Sequence, residues 1–121
     1  MSFREHIQTI VDGVPGAIAC TVMGFDGIAI DSYECGRPPV DIPTLLTEYS
    51  AAVQQLKRGA AQQPEAGRVD ELVVNSSNLI AVLRLLTDEY FLAVVLNHAG
   101  YTGKARYLMR VRAPLIVKEL G

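Results

Sequence analysis

The stretch that decides the fold is residues 69–97, which reads VDELVVNSSNLIAVLRLLTDEYFLAVVLN. It holds three apolar segments of strand length, residues 69–75, 79–86 and 90–97, separated by the polar triplets SSN and TDE. Connections this short leave no room for a crossover helix, so consecutive strands must run antiparallel. The stretch therefore predicts a three-stranded meander.

A hairpin is predicted upstream of this meander. Residues 17–23 are nearly all apolar, and residues 28–33 return after Asp26 and Gly27. Asp-Gly is a strong hairpin signal because glycine accepts a positive φ without steric cost. The chain thus has five predicted strands.

The order of the strands follows from which of them are apolar on both sides. The first, fourth and fifth strands hardly alternate, and such continuous apolar runs indicate cover on both faces of a sheet. The second strand contains Asp31 and Ser32, and the third contains Asp70 and Glu71, so charge marks these two as edges. Joining the hairpin to the meander with those strands outermost gives the order 2-1-5-4-3.

Helix signals flank both groups of strands. Ser2 followed by Glu5 forms a capping box, so a first helix should begin at residue 3. The last helix is predicted from about Thr102 to Leu120, and Pro114 inside it should bend it. With the second helix on one face of the sheet and the first and last helices on the other, the pattern predicts a three-layer α/β/α domain.

The second helix is predicted to be the longest, over residues 42–62, with Asp41 as its N-cap. The stripe expected to face the sheet consists of Leu45, Tyr49, Ala52, Val53, Leu56 and Ala60. Ala51, flanked by Glu48 and Gln55, lies off this stripe. Alanine there fits either good helix propensity or a close approach by another helix, which suits helix pairing in a dimer.

Composition narrows the class of protein. The chain has 121 residues, of which half are hydrophobic and 20% are charged, so we expect one packed domain over residues 1–121. The net charge of −2 argues against an electrostatic grip on nucleic acid or anionic lipid. The first residues include Arg4 and Glu5, where a signal peptide needs an apolar segment. No apolar run reaches the about 20 residues that a membrane-spanning helix requires. We therefore expect a cytoplasmic protein without membrane insertion.

Residues that could carry out chemistry are sparse. His6 and His98 have no other ligand at metal spacing, and Cys20 and Cys35 form no CxxC pair. We read Cys20 as a buried core residue and Cys35 as a loop thiol. No glycine-rich phosphate loop is present, so the chain is not itself a GTPase. We expect no catalytic residue, no metal and no cofactor.

Several short motifs occur in a characteristic order. They are VPG at 14–16, DG at 26–27, VDELVV at 69–74, LAVVL at 92–96 and GKAR at 103–106. In this order and spacing, the chain resembles the roadblock/dynein light-chain family over essentially its whole length. The resemblance implies a partner of a small Ras-like GTPase in a bacterial polarity or motility system, in some cases a GTPase-activating protein.

The resemblance implies a homodimer in which the third strands and the second helices pair across a two-fold axis. The residues expected at that interface are Glu48, Ala51, Gln55, Leu72, Val73 and Val74. The residues expected to bind a GTPase are Thr47, Gln54 and Arg58. Arginine is favoured at interface hot spots, so Arg58 is expected to matter most.

Three functions remain open at this point: a regulatory binding module for a GTPase, a structural adaptor dimer that bridges a larger assembly, and an unrelated small enzyme. Only Arg37 and Arg58 are conceivable arginine fingers, and both have ordinary solvent-exposed explanations. The last helix is basic, through Lys104, Arg106, Arg110, Arg112 and Lys118. Its charges fit either a solvated face or docking to an acidic partner.

Overall fold

The computed structural model describes residues 2–120 and consists of a five-stranded sheet between two layers of helices. The helices are α1 (Phe3–Gly13), α2 (Ile42–Ala61) and α3 (Thr102–Leu120). The strands are β1 (Ala17–Gly24), β2 (Ala29–Glu34), β3 (Glu71–Asn75), β4 (Ile80–Leu85) and β5 (Tyr90–Leu96). All neighbouring strands are antiparallel and the order is β2-β1-β5-β4-β3, which confirms the predicted topology.

The predicted helix starts are confirmed by their caps. The Ser2 hydroxyl accepts a hydrogen bond from the Glu5 amide at 3.3 Å, and the Asp41 carboxylate accepts one from the Thr44 amide at 3.2 Å. Each cap satisfies a backbone N–H that has no partner inside its own helix. Helix α3 continues through Pro114 as one element, and the bend expected there stays a prediction.

Strand ends differ from the predicted ones by one or two residues. Strand β3 was expected to begin at Val69 but begins at Glu71. The pairing nevertheless extends one step further, because the Asp70 carbonyl accepts a hydrogen bond from the Leu85 amide at 3.0 Å. The hairpin between β1 and β2 turns at Gly27, whose φ of 89° explains the glycine.

The two faces of the sheet carry separate cores, as the apolar central strands require. One core joins α1 and α3 to the sheet through Ile7, Ile10, Met109 and Ile116, among others. The other joins α2 to the opposite face through Ile42, Leu46 and Val53. This arrangement confirms the predicted layers.

The stripe predicted for α2 was partly wrong. Leu45 and Tyr49 are only half-buried, and Ala52 and Leu56 are exposed, Leu56 by 45%. The buried face consists of Ile42, Leu46, Ser50 and Val53. Its centre lies roughly 65° around the helix from that of the predicted stripe, at 100° per residue, and the two share Val53.

A buried serine concealed the true stripe. Ser50 is polar, so a search for apolar periodicity passes over it, yet it lies in the middle of the face that meets the sheet. Its hydroxyl donates a hydrogen bond to the Thr47 carbonyl at 2.7 Å, which satisfies it within the helix. Helix α2 is also apolar on the neighbouring flank, which bears Tyr49, Ala52 and Leu56. The apolar periodicity therefore predicted that this flank, and not the one with Ser50, faces the sheet.

An ion pair fastens α1 to the outer strand β2. The Arg4 guanidinium donates to both carboxylate oxygens of Asp31, through Nη2 at 2.7 Å and through Nε at 3.2 Å. This hydrogen bonding holds the pKa of Asp31 below its usual range. Asp31, expected only as an edge charge, thus also has a structural role.

The corrected stripe gives a prediction about stability. Leu46→Ala should lower the free energy of unfolding by about 2–5 kcal/mol, because it leaves a cavity beside the sheet. Leu56→Ala should cost less than about 1 kcal/mol, because nearly half of that side chain already contacts water. Urea denaturation of both variants measures the difference, and equal losses would show that α2 packs differently.

The Arg4–Asp31 pair gives a prediction about pH. The carboxylate pKa is lower in the folded protein than in the unfolded chain, where it is about 3.9. The contribution of the pair to stability is therefore present above that value and disappears as pH falls through the folded pKa. Asp31→Asn should be less stable than the original at pH 7, and the difference should shrink as pH falls below about 3.9 and through the folded pKa. A difference in the free energy of unfolding that persists in acid would contradict this.

Candidate functional site

The first candidate surface is the free edge of the sheet. Strand β3 is the last strand in the order, and among residues 2–120 it pairs with β4 alone. Leu72 and Val74 are half-buried and lean toward α2, while Val73 is 40% exposed on the opposite face. An apolar strand whose outer backbone groups are unpaired is a ready surface for pairing with another strand.

The outer side of α2 is the second surface. Glu48, Ala51 and Gln55 are all exposed and share one helical face that points away from the sheet. The Tyr49 and Ser76 hydroxyls lie 3.4 Å apart, so the flank that bears Tyr49 is the one beside the end of β3.

Exposed apolar residues lie between the edge of β3 and the outer side of α2. Ala52 and Leu56 follow Tyr49 on the same flank of α2, and both are exposed. They were expected in the core, so sequence reasoning missed them as surface residues. The corrected position of the α2 stripe is the signal that identifies them.

The residues expected to bind a GTPase lie on the opposite flank of α2. Thr47, Gln54 and Arg58 recur at helical spacing, and Thr47 faces the β1–β2 hairpin, where a side chain added at Gly27 would meet it at 3.4 Å. Thr47 and Arg58 are exposed and Gln54 is half-buried. The Arg58 guanidinium donates to the Gln55 side-chain oxygen at 2.7 Å. The residues expected to bind a GTPase and those expected at the dimer interface therefore occupy adjoining sides of α2.

The basic residues of α3 do not share one environment. The Arg106 guanidinium donates to Glu71 Oε2, through Nη2 at 2.9 Å and Nε at 3.0 Å, which raises the pKa of Arg106. Arg112 lies 3.4 Å from the ring nitrogen Nδ1 of the buried His6. Burial, and then the nearby Arg112 charge, lower the pKa of His6. The basic residues of α3 are therefore not all solvated, because Arg106 and Arg112 contact other side chains of the protein.

The cysteines lie where they were expected. Cys20 is buried in β1, and burial raises the pKa of its thiol. Cys35 is exposed after β2. Within residues 2–120 no group of three or more His, Cys, Asp or Glu side chains is arranged to hold a metal ion. No helix in that range is both long and apolar enough to span a membrane.

Comparison with known proteins supplies the family. MglC from Myxococcus xanthus is 42% identical, with 98% of this chain and 99% of that chain aligned and a TM-score of 0.69. The chain belongs to the roadblock family. No family model and no curated protein matches the sequence.

Two more distant structures share the roadblock fold. The gliding protein MglB from Thermus thermophilus is 16% identical over 95% of this chain and 85% of that one, with a TM-score of 0.82. A Roadblock/LC7 domain from Streptomyces avermitilis is 16% identical over 96% and 98%, with a TM-score of 0.72. At this identity the likeness concerns the fold, and it agrees with the strand order described above.

Proposed function

We propose that this roadblock-family protein is a homodimeric regulator that binds a small Ras-like GTPase and has no active site of its own. The observation that carries the proposal is the open edge of β3 beside an exposed apolar flank of α2. Together they offer one continuous surface for a second copy, formed from both backbone hydrogen-bonding groups and apolar side chains.

The proposed interface has two parts. Along β3, residues 72–74 would pair with the same strand of the partner and extend the sheet. On α2, Glu48, Ala51 and Gln55 would face the partner helix, and the small Ala51 would set a close approach. Ala52 and Leu56 add apolar area on the flank nearest β3.

The GTPase surface would lie on the paired second helices. Thr47, Gln54 and Arg58 sit on the flank away from β3, so pairing along β3 leaves them accessible. A protein without catalytic groups can regulate another only by binding one of its states more tightly. The surface would therefore discriminate between the GTP and GDP forms.

GTPase activation would be a further step. Arg37 and Arg58 are exposed, but neither is held in a geometry that presents a fixed arginine finger. Any acceleration would therefore come from arranging the GTPase's own residues.

A structural adaptor is the second candidate function. It is favoured by the concentration of positive charge on α3, which lies across the sheet from α2 and offers a second surface for another partner. Binding on both sides of the sheet would let a dimer bridge larger components.

The dimer is tested by sedimentation at micromolar concentration, which should give twice 13.1 kDa. Ala51→Glu should shift the protein toward monomer while leaving the monomer folded, because Ala51 is exposed and touches no core. The matched control is Ala61→Glu, the same change at an exposed position of α2 outside the proposed interface. A monomeric original protein, or equal dissociation of both variants, would exclude this interface.

GTPase binding is tested by calorimetry with the cognate GTPase loaded with GDP or with a non-hydrolysable GTP analogue. One form should bind more tightly, and Arg58→Ala should weaken that complex by about tenfold, as expected of a moderate hot spot. Lys104→Ala, which removes an exposed cation on α3 across the sheet from α2, is the control. Equal affinity for both forms would favour the adaptor function, and no binding to any small GTPase of the source organism would remove the proposal.

A further inference from the structure

Charge is unevenly distributed in this protein. Helix α3 carries five of the eleven basic residues and one of the thirteen acidic ones, so it has a net charge of +4 while the remainder of the chain has −6. Its exposed side also presents Tyr107, Val111 and Leu115, which are 55%, 46% and 41% exposed and follow each other at four-residue intervals. An outer face that mixes cations with apolar side chains is unusual for a purely solvated helix.

A cleft adjoins this face. It has a volume of about 990 Å³ and lies between α3, the C-terminal half of α2 and the point where the chain enters β3 and leaves β4. Leu85, Pro114 and Val117 contribute apolar walls. The charged residues around it are the cations Lys57, Arg68, Arg84 and Arg110 and the acids Asp70 and Asp88.

Two of the four cations are already engaged. Arg68 forms a salt bridge with Asp70 at 2.9 Å. Lys57 donates to the Asp88 backbone carbonyl at 3.4 Å and lies 4.7 Å from the centre of the Phe25 ring. The other two cations are Arg84 and Arg110.

Arg84 and Arg110 make no salt bridge with any of residues 2–120. Arg84 is half-buried on β4, directly across the ladder from Glu71, yet Glu71 pairs with Arg106 instead. Arg110 stands over the exposed Tyr107 ring at 5.8 Å. Both guanidinium groups therefore keep N–H donors that an incoming carboxylate can accept from.

The two arginines also line a second, smaller hollow of about 180 Å³, together with Glu71, Arg106 and Tyr107. They therefore stand where the two hollows meet. An extended ligand lying across this boundary would meet Arg84 and Arg110 at its centre and apolar walls at its end.

We propose that this cleft binds an acidic, partly apolar segment of a partner protein, with Arg84 and Arg110 as the residues that hold its carboxylates. Guanidinium groups match carboxylates in geometry and form charge-assisted hydrogen bonds with them. The apolar walls of the cleft and the Tyr107, Val111 and Leu115 stripe would receive the non-polar side chains of the segment.

The shape of the site favours a peptide over a membrane surface. Arg84 belongs to a strand of the sheet and is half-buried in this recess, which a flexible chain would follow more closely than a planar lipid headgroup layer. A flexible chain can enter such a recess. The proposal does not depend on the GTPase surface, because Thr47, Gln54 and Arg58 do not line the cleft.

The test uses a short fluorescein-labelled peptide of glutamates interspersed with leucines, and a matched peptide with glutamine in place of glutamate. By fluorescence anisotropy, the full-length protein should bind the acidic peptide more tightly than the neutral one, and added salt should weaken the binding. Arg84→Gln and Arg110→Gln should each weaken it by about tenfold, the loss of a charge-assisted hydrogen bond. Arg37→Gln, which removes the same charge far from the cleft, should leave it unchanged.

Three results would overturn the proposal. They are the absence of binding to the acidic peptide, equal binding of the two peptides, and equal effects of the Arg110→Gln and Arg37→Gln variants. Arginine-dependent binding to phosphatidylserine vesicles without peptide binding would instead assign the site to a membrane. If a thermal melt shows that Arg84→Gln destabilises the fold, the Arg110→Gln variant alone tests the proposal, because Arg110 is exposed on α3.

Discussion

The central strands of this sheet are apolar on both faces, and most of the structure follows from that constraint. Strands β1, β4 and β5 have buried residues pointing to either side, so each face must be covered by helices. Helix α2 covers one face and α1 with α3 cover the other. The polar strands are thereby left at the edges. At β2, Arg4 of α1 binds Asp31, whereas the outer edge of β3 remains open.

The open edge of β3 is where we propose that a second copy binds. A dimer along β3 would bring two copies of α2 together and present their outer flanks as one face, to which a GTPase could bind. Across the sheet, α3 concentrates positive charge beside the cleft that holds Arg84 and Arg110. In that arrangement, the protein would hold different partners on its two sides.

The fold could be predicted from sequence because its signals are local and agree with one another. The caps at Ser2 and Asp41, the turn at Gly27 and the continuous apolar strands each admit one interpretation. The α2 stripe could not be predicted, because the helix is apolar on two neighbouring sides and the polar Ser50 lies in the buried one. The cleft was also hidden, since Arg84 and Arg110 are 26 positions apart in the sequence and meet only through the packing of α3 on the sheet.

The most direct test of the central claim, that a second copy completes the edge of β3, is amide hydrogen exchange of residues 71–75 at different protein concentrations. In a dimer paired along β3, the amides that point away from β4 should be protected at micromolar concentration and should lose that protection on dilution, while β5 amides stay protected throughout. Outward β3 amides that exchange freely at every concentration, with β5 still protected, would contradict the account.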